Sequence, residues 1–383
     1  MTVTTVDAAG LLAGHDHGPA PILGRDLIAL AQEAGLTGRG GGGFPTWRKL
    51  AAVATAAGRP IVIGNGAEGE PGSDKDRTLL TRSPHLVLDG LRLVAAAVGA
   101  SQLYLYVPAD LAGRLRPLAP DVTVVDAPDA FIAGEESAVV SRVEGGAALP
   151  RDKRKRVVEH GVKGAPTLVQ NVETLAHLAL LARYGPRWFR RRGTPEEPGT
   201  FLATLSGAVR QPGVYEAPYG IPLAELVAMA GGPSQSLQAV LIGGYHGAWL
   251  PARPEVPVSR AGLRPYGASP GAGVVIALPT DACGLVESGR IASYLARQTA
   301  GQCGPCVNGL PRLADTLTRL ARRERHAGLP AEVERLIGLV TGRGACHHPD
   351  GTARFVRSAL QTFAPEVRAH LAGTCVTEGG HRG

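Results

Sequence analysis

At 383 residues, with 44% apolar and only 4% aromatic residues and a formal net charge of +7, the chain is long enough for two or three domains that fold without disulfide staples, and its low aromatic content argues against nucleic acid as a partner. No apolar run reaches the roughly 18 residues that a spanning helix needs. The start, "MTVTTVDAAGLLAGHDHG", lacks the basic head and apolar centre of a secretion signal, so the expectation is a cytoplasmic protein.

Taken in chain order, "RDLIALAQEAGL" has helical spacing, "GRGGGGFP" interrupts it, and "TWRKLAAVATAAG" resumes a helix with Pro45 in its first turn. The strand-like runs "PIVIGN", "QLYLYVP" and "VTVVDAP" then alternate with helical "HLVLDGLRLVAAAVG" and "ADLAGRLRPLA", the pattern of an α/β layer structure over residues 1–195. From 196 to 284 the texture turns to short β runs, "TFLATLSGAV", "GVYEA", "AVLIGG" and "GVVIALP", around one helix, "PLAELVAMAGG", with a Pro/Gly-rich loop at 251–273. This predicts a small α+β module. Residues 285–383 carry only helical patterns, the last of them a single helix over "TARFVRSALQTFAPEVRAHLAG".

Three segments carry chemistry. Gly38, Gly40 and Gly43 fit G-x-G-x-x-G, but a helix precedes them where the dinucleotide fingerprint needs a strand. What remains is the physics of a loop in which five of six residues are glycine, allowing close approach to a flat or anionic ligand. Lys49, one turn into the next helix, adds a positive charge. "IGNGAEGEPGSDKDR" follows a strand and places Asn65, Glu68 and Glu70 at a carboxyl end of the sheet, where acidic groups suit hydroxyls and amides. In "FIAGEESAVVSRVEGG", Glu135 and Glu136 open a helix behind Gly134, as ligands or as compensation of the helix dipole. The basic runs "RDKRKR" (151–156) and "RYGPRWFRRR" (183–192) read as solvated faces or as the footing of a phosphate-bearing cofactor or an acidic partner. Among the five cysteines, Cys303 and Cys306 form a C-x-x-C pair, half of a metal or cluster site or a redox couple.

The colinear motifs "GRGGGGFPT", "NGAEGEPGSDKDR", "GEESA", "GAPTLVQNVETLAHLA", "LSGAVRQPGVYEAPYG" and "CGPC" together resemble the NADH- and FMN-binding flavoprotein subunit of respiratory complex I and its relatives in NAD-linked hydrogenases. The resemblance implies an α/β FMN-binding domain, a ubiquitin-like β-grasp (SLBB) domain and a C-terminal helical bundle holding an iron-sulfur cluster. It implies that Gly38, Arg39, Gly40, Gly41, Gly42, Gly43 and Lys49 line FMN together with Asn65, Glu68, Gly134, Glu135, Asn171 and Thr174. Phe44, Glu70, Glu136 and Lys153 would face NADH, with Glu70 and Glu136 as the catalytic pair. The implied reaction is hydride transfer from NAD(P)H to the flavin, followed by electron transfer to a ferredoxin-like or thioredoxin-fold 2Fe-2S partner.

Against that family pattern, Ala67 stands at a usual Asp, Trp47 at a common Gly and Phe131 at a frequent Tyr, and Ala300 takes the place of the first cluster cysteine. Cys303, Cys306 and Cys346 are the remaining thiolates. With His347, His348 or water as a fourth ligand they would hold a [4Fe-4S] or [3Fe-4S] cluster; zinc in a Cys3His set and an empty site are the other outcomes. The rival to an enzyme is a non-catalytic scaffold that kept the three-domain shell.

Overall fold

The structure, a computed structural model, describes residues 10–13, 17–21, 23–152 and 155–377. The chain divides into two compact units, Met1–Ala203 with Glu216–Gly220, and Thr204–Tyr215 with Ile221–Gly383.

In the first unit, helices α1 (Asp26–Ala34) and α2 (Thr46–Ala54) precede strand β1 (Ile61–Asn65), helices α3 (Lys75–Arg82) and α4 (Pro84–Val98), and strand β2 (Gln102–Pro108). Helix α5 (Ala109–Leu115), strand β3 (Thr123–Ala127), helix α6 (Glu136–Val143), strand β4 (Thr167–Asn171) and helix α7 (Val172–Phe189) complete it. The expected α/β layering is present. The four strands run parallel in the order β3-β2-β1-β4, so the chain reverses direction across the sheet between β1 and β4. In open parallel sheets that switch point is where ligands collect, beyond the strands' carboxyl ends. Here Asn65 and Asn171 are the last residues of the two strands and lie in register with each other.

Local sequence explains the flanking helices. Helix α4 starts on Pro84, whose missing N–H costs nothing in the first turn, and stops at Gly99 in the left-handed conformation (φ 74°). Its apolar face, including Leu86, Val87, Leu91 and Val94, is fully buried. Packing of α4 on α7 is close enough that a Cβ on Gly90 would lie 2.0 Å from the Leu175 carbonyl oxygen.

The unit boundary falls within strands β5 (Thr200–Gly207) and β6 (Gly213–Pro218). Helix α8 (Leu223–Met229), strands β7 (Leu237–Ile242) and β8 (Ala248–Pro251), a single turn α9 (Arg260–Leu263) and strand β9 (Val274–Pro279) follow. The sheet order is β6-β5-β9-β7-β8, with β5 parallel to β9 and β7 antiparallel to both β8 and β9. β8 was not expected, because four residues are too few to show alternation; its Trp249 is nonetheless almost fully buried.

Helices α10 (Gly284–Arg297), α11 (Leu310–Ala321), α12 (Leu329–Val340), α13 (His348–Thr362) and α14 (Ala364–Leu371) form the helical region. The single helix expected at the end is two. Phe363 leaves the helical conformation (φ −102°, ψ 30°), since Pro365 offers no N–H to continue the ladder and is tolerated only in the first turn of a new helix.

Candidate functional site

The glycine loop is closed at its neck. Thr37 and Pro45 form a bridge, and the Gly38 N–H donates to the Phe44 carbonyl at 2.9 Å. Gly41 (φ 96°) and Gly43 (φ 55°) occupy the left-handed region that residues with a Cβ avoid. A Cβ on Gly40 would press on the Asn171 Cβ at 3.3 Å, whereas one on Gly42 would point into open space. The loop therefore rests on the end of β4 with one side and leaves the other bare. Pro45 is the residue before α2 rather than part of its first turn.

Arg39 sits under this loop, 3% exposed. Its amide donates to the Thr174 hydroxyl (2.9 Å), its guanidinium to Thr37, Thr200 and Pro198, and its charge lies 4.6 Å from the centre of the Tyr219 ring. Arg39 and Thr174 thus fasten the loop from beneath.

Beyond β1, the Asn65 side chain donates to the Gly134 carbonyl (3.0 Å) and accepts from the Ala67 N–H (3.1 Å), joining the two acidic segments. Gly69 lies so close to the 130–131 backbone that a Cβ would approach the Ala130 oxygen to 2.4 Å. Tyr106, from β2, donates to the Ala133 carbonyl; burial pushes its hydroxyl up to about 12. The Glu68 carboxylate accepts from the backbone amides of Asp76 and Arg77 and from the Ser73 hydroxyl, capping α3. Glu135 does the same for α6, accepting from the Ser137 and Ala138 amides.

Glu136 differs. Its Oε1 lies 2.6 Å from Lys49 Nζ, which also donates to the Val169 carbonyl at 2.7 Å. Phe44, Lys49, Glu135 and Glu136 line one cleft of about 780 Å³, and Phe44 is 56% exposed. Arg151, Lys155 and Arg156 stand along its rim, so the first basic run borders the cavity. Trp47 is not among its lining residues; Arg48 stacks over that indole at 5.3 Å. Glu70 is half-buried in the acidic loop and does not line the cleft either. Lys153 lies outside the described residues.

Sequence reading missed the charged group beneath the strand ends. Lys75, 2% exposed, contacts Asp76 (2.7 Å) and Glu173 (2.9 Å). Asp76 accepts from the Asn171 side chain (2.8 Å), Asn171 donates also to the Asn65 carbonyl, and Glu173 accepts from the Leu202 amide. Burial by itself would lower the Lys75 pKa, yet the Asp76 and Glu173 charges outweigh it and hold the ammonium protonated. Burial pushes Asp76 up to about 7, with Lys75 opposing and Glu68 and Glu173 reinforcing the shift. The only advance signal was "SDKDR" opening a helix.

In the second unit, Cys303 precedes a π-helical turn, Pro305–Gly309, that leads into α11. Cys306 is buried, hydrogen-bonded to the free Cys303 thiol and within electrostatic reach of Cys346, also buried; burial and these sulfurs push its thiol up to about 12, while the Ala300 amide pulls it down. Three cysteines thus converge with Ala300 beside them, a donor set suited to iron-sulfur or soft-metal binding. His347 turns outward, its side chain 89% exposed and its Nδ1 3.5 Å from Asp350. His348 is buried between the Leu295 carbonyl (2.9 Å) and His246 (3.0 Å).

Comparison with known proteins places this geometry. Residues 31–180 match the model of the Nuo51 FMN-binding domain, residues 202–242 the SLBB domain, and residues 288–370 the iron-sulfur binding region of NADH-ubiquinone oxidoreductase-F. The NADH-quinone oxidoreductase F subunit numbered 2 in Rhizobium meliloti (strain 1021) is 34% identical over 375 residues, covering 90% of this chain and 89% of that one. The chain belongs to the F-subunit family of NADH-quinone oxidoreductases. The F subunit of Streptomyces coelicolor is 30% identical, with 91% of this chain and 83% of that one covered. Among solved structures, the NAD+-reducing [NiFe]-hydrogenase in its H2-reduced state superposes with a TM-score of 0.84 at 30% identity over 96% of this chain. This chain spans 66% of that longer protein. The fold expected from the sequence, an FMN-binding α/β domain followed by an SLBB domain and a helical region, is that of the F-subunit family.

Proposed function

We propose that this F-subunit relative oxidises NADH with FMN held against the glycine loop and serves a 2Fe-2S partner protein within a larger complex, with Cys303, Cys306 and Cys346 as the residues that would hold an iron-sulfur cluster, which would supply one-electron transfer. The observation that carries the reading is the cleft of about 780 Å³ beside the glycine loop, whose wall holds the Lys49–Glu136 pair and whose rim is basic. The glycine loop fits a flat ring system, because its outer side has no side chain and its inner side is buttressed by Asn171 and Arg39. When bound, FMN supplies the conversion between two-electron hydride chemistry and one-electron transfer.

The chain's own residues position and discriminate. Arg151, Lys155 and Arg156 attract the anionic phosphates of the nucleotide. Phe44, exposed at the mouth, offers a stacking face. Glu136 accepts hydrogen bonds from ribose or carboxamide, and Lys49 holds that carboxylate in place. A collapsed scaffold would be expected to fill such a cavity with side chains, and the open cleft favours the enzyme.

Equilibrium dialysis of the FMN-reconstituted chain with NADH tests this. Saturable binding that competes with NAD+ and weakens in Arg151→Ala/Arg156→Ala is expected; affinity indifferent to those changes would place the nucleotide elsewhere.

A further inference from the structure

We propose that Cys283, His370 and Cys375 form a second metal site, separate from the Cys303–Cys306–Cys346 set, for a single divalent cation of the zinc class. Their donor atoms, the two sulfurs and the imidazole Nε2, all lie within 4.8 Å of one another, and Cys283 Sγ is 3.4 Å from His370 Nε2. Around a tetrahedral zinc with Zn–S near 2.3 Å and Zn–N near 2.0 Å, donors sit roughly 3.5 to 3.8 Å apart. A contraction of at most about 1.3 Å, within the reach of side-chain adjustment, closes the set around an ion.

Each ligand arrives from a different place. Cys283 is the residue before α10, with the amides of Leu285 and Val286 turned towards its sulfur; burial and the neighbouring Glu366 and Cys375 outweigh them and push the free thiol up to about 12, so it is the cation that must displace the proton. His370 lies in the last turn of α14. Cys375 is carried back towards that helix by Gly373 in the left-handed conformation (φ 82°) and by a Thr374 N–H bond to the Ala369 carbonyl at 2.9 Å.

The surroundings prepare a ligand rather than a generic buried histidine. His370 Nδ1 lies 3.0 Å from the Leu320 carbonyl, which can only accept. Nδ1 therefore carries the proton, and Nε2 presents its lone pair to the sulfurs, the orientation that carbonyl-supported metal-binding histidines use. Binding releases the two thiol protons to solvent, so M²⁺ with two thiolates and a neutral imidazole carries no net charge, which suits a site where His370 is fully buried and Cys375 nearly so. Cys283 and Cys375 lie outside the residues matched to the iron-sulfur region, and their ion would pin the start of α10 to the end of α14.

The test is metal retention by the full-length chain. With Cys303, Cys306 and Cys346 each changed to Ser, zinc-loaded and desalted protein should keep one zinc ion per chain, and adding Cys375→Ser should lower retention at least about tenfold. Cobalt in place of zinc should show thiolate-to-cobalt charge-transfer bands that the Cys375→Ser change abolishes. Because multiple variants sometimes fail to fold, the unsubstituted chain gives a second reading. Iodoacetamide labelling mapped by mass spectrometry should find Cys283 and Cys375 protected by zinc and exposed by chelator. Equal labelling with and without zinc, zinc retention indifferent to Cys375→Ser, or an intact mass lacking two hydrogens through a Cys283–Cys375 disulfide would each overturn the proposal.

Discussion

Lys49 and Glu136 meet at 2.6 Å, Nζ to Oε1, in the wall of the cleft, although they come from the helix after the glycine loop and the helix after β3. The resemblance assigned one to the flavin and the other to NADH, and the structure makes them a single element. Both are partly exposed, so their own ion pair adds little stability; the value of the pairing is that it fixes a charged acceptor where a nucleotide would lie.

Glu136→Gln should therefore lower kcat/KM for NADH by roughly 10- to 100-fold, the equivalent of about 1.5 to 3 kcal/mol for a hydrogen bond to a charged group. Bound FMN should be unchanged. Steady-state kinetics beside flavin content per chain checks both halves, and loss of flavin with kinetics per flavin intact would reassign Glu136 to the flavin.

Two glycines of one loop should respond differently. Gly41→Ala forces a Cβ into the left-handed region (φ 96°), a strain of about 1 to 2 kcal/mol, and should lower both the melting temperature and FMN affinity. Gly42→Ala meets no protein atom, so it should leave the melting temperature alone while weakening FMN binding. Equal flavin affinity in Gly42→Ala and the parent would show that the bare side of the loop is not the flavin side.

The buried Lys75 group makes a pH prediction. The folded-state pKa of Asp76 is raised, to about 7 from 3.8, so between about pH 4 and pH 7 the folded chain binds more protons than the unfolded one. Stability is then lost as pH rises through that window and levels off above it. Asp76→Asn should flatten this part of the curve, measured by urea denaturation at a series of pH values. Lys75→Met strands two buried carboxylates and should cost about 3 to 5 kcal/mol near neutral pH.

The sequence was most legible where a local rule and a tertiary need coincide. Parallel strands with nearly continuous apolar burial, as in "IVIGN", and glycines at helix ends such as Gly99 announce themselves over a few residues. What stayed hidden depends on residues far apart in the chain. Nothing in "SDKDR" says that Lys75 is inside and Arg77 outside, because helix phase relative to the sheet decides it. That Glu68 accepts from the amides that open α3, and Glu135 from those that open α6, was equally hidden, since a carboxylate near a helix start has the same sequence signature as a cap or as a ligand. The break at Phe363 was readable from Pro365 and was overridden by the strong apolar period on both sides.

At the cysteine-lined turn, the Ala300 amide faces the Cys306 sulfur, so the position of the missing ligand is still against the cluster pocket. Ala300→Cys should raise iron and sulfide per chain after anaerobic reconstitution, towards a four-thiolate site. Unchanged iron would mean that the Ala300 backbone is near enough but its side chain points away.

The central claim is that the glycine loop and the Lys49–Glu136 cleft together let NADH reduce flavin in this chain. Anaerobic titration of the FMN-reconstituted protein with NADH, followed by flavin absorbance, tests it most directly. The account predicts stoichiometric bleaching that slows sharply in Glu136→Gln. Flavin that binds and keeps its oxidised spectrum under excess NADH would contradict it.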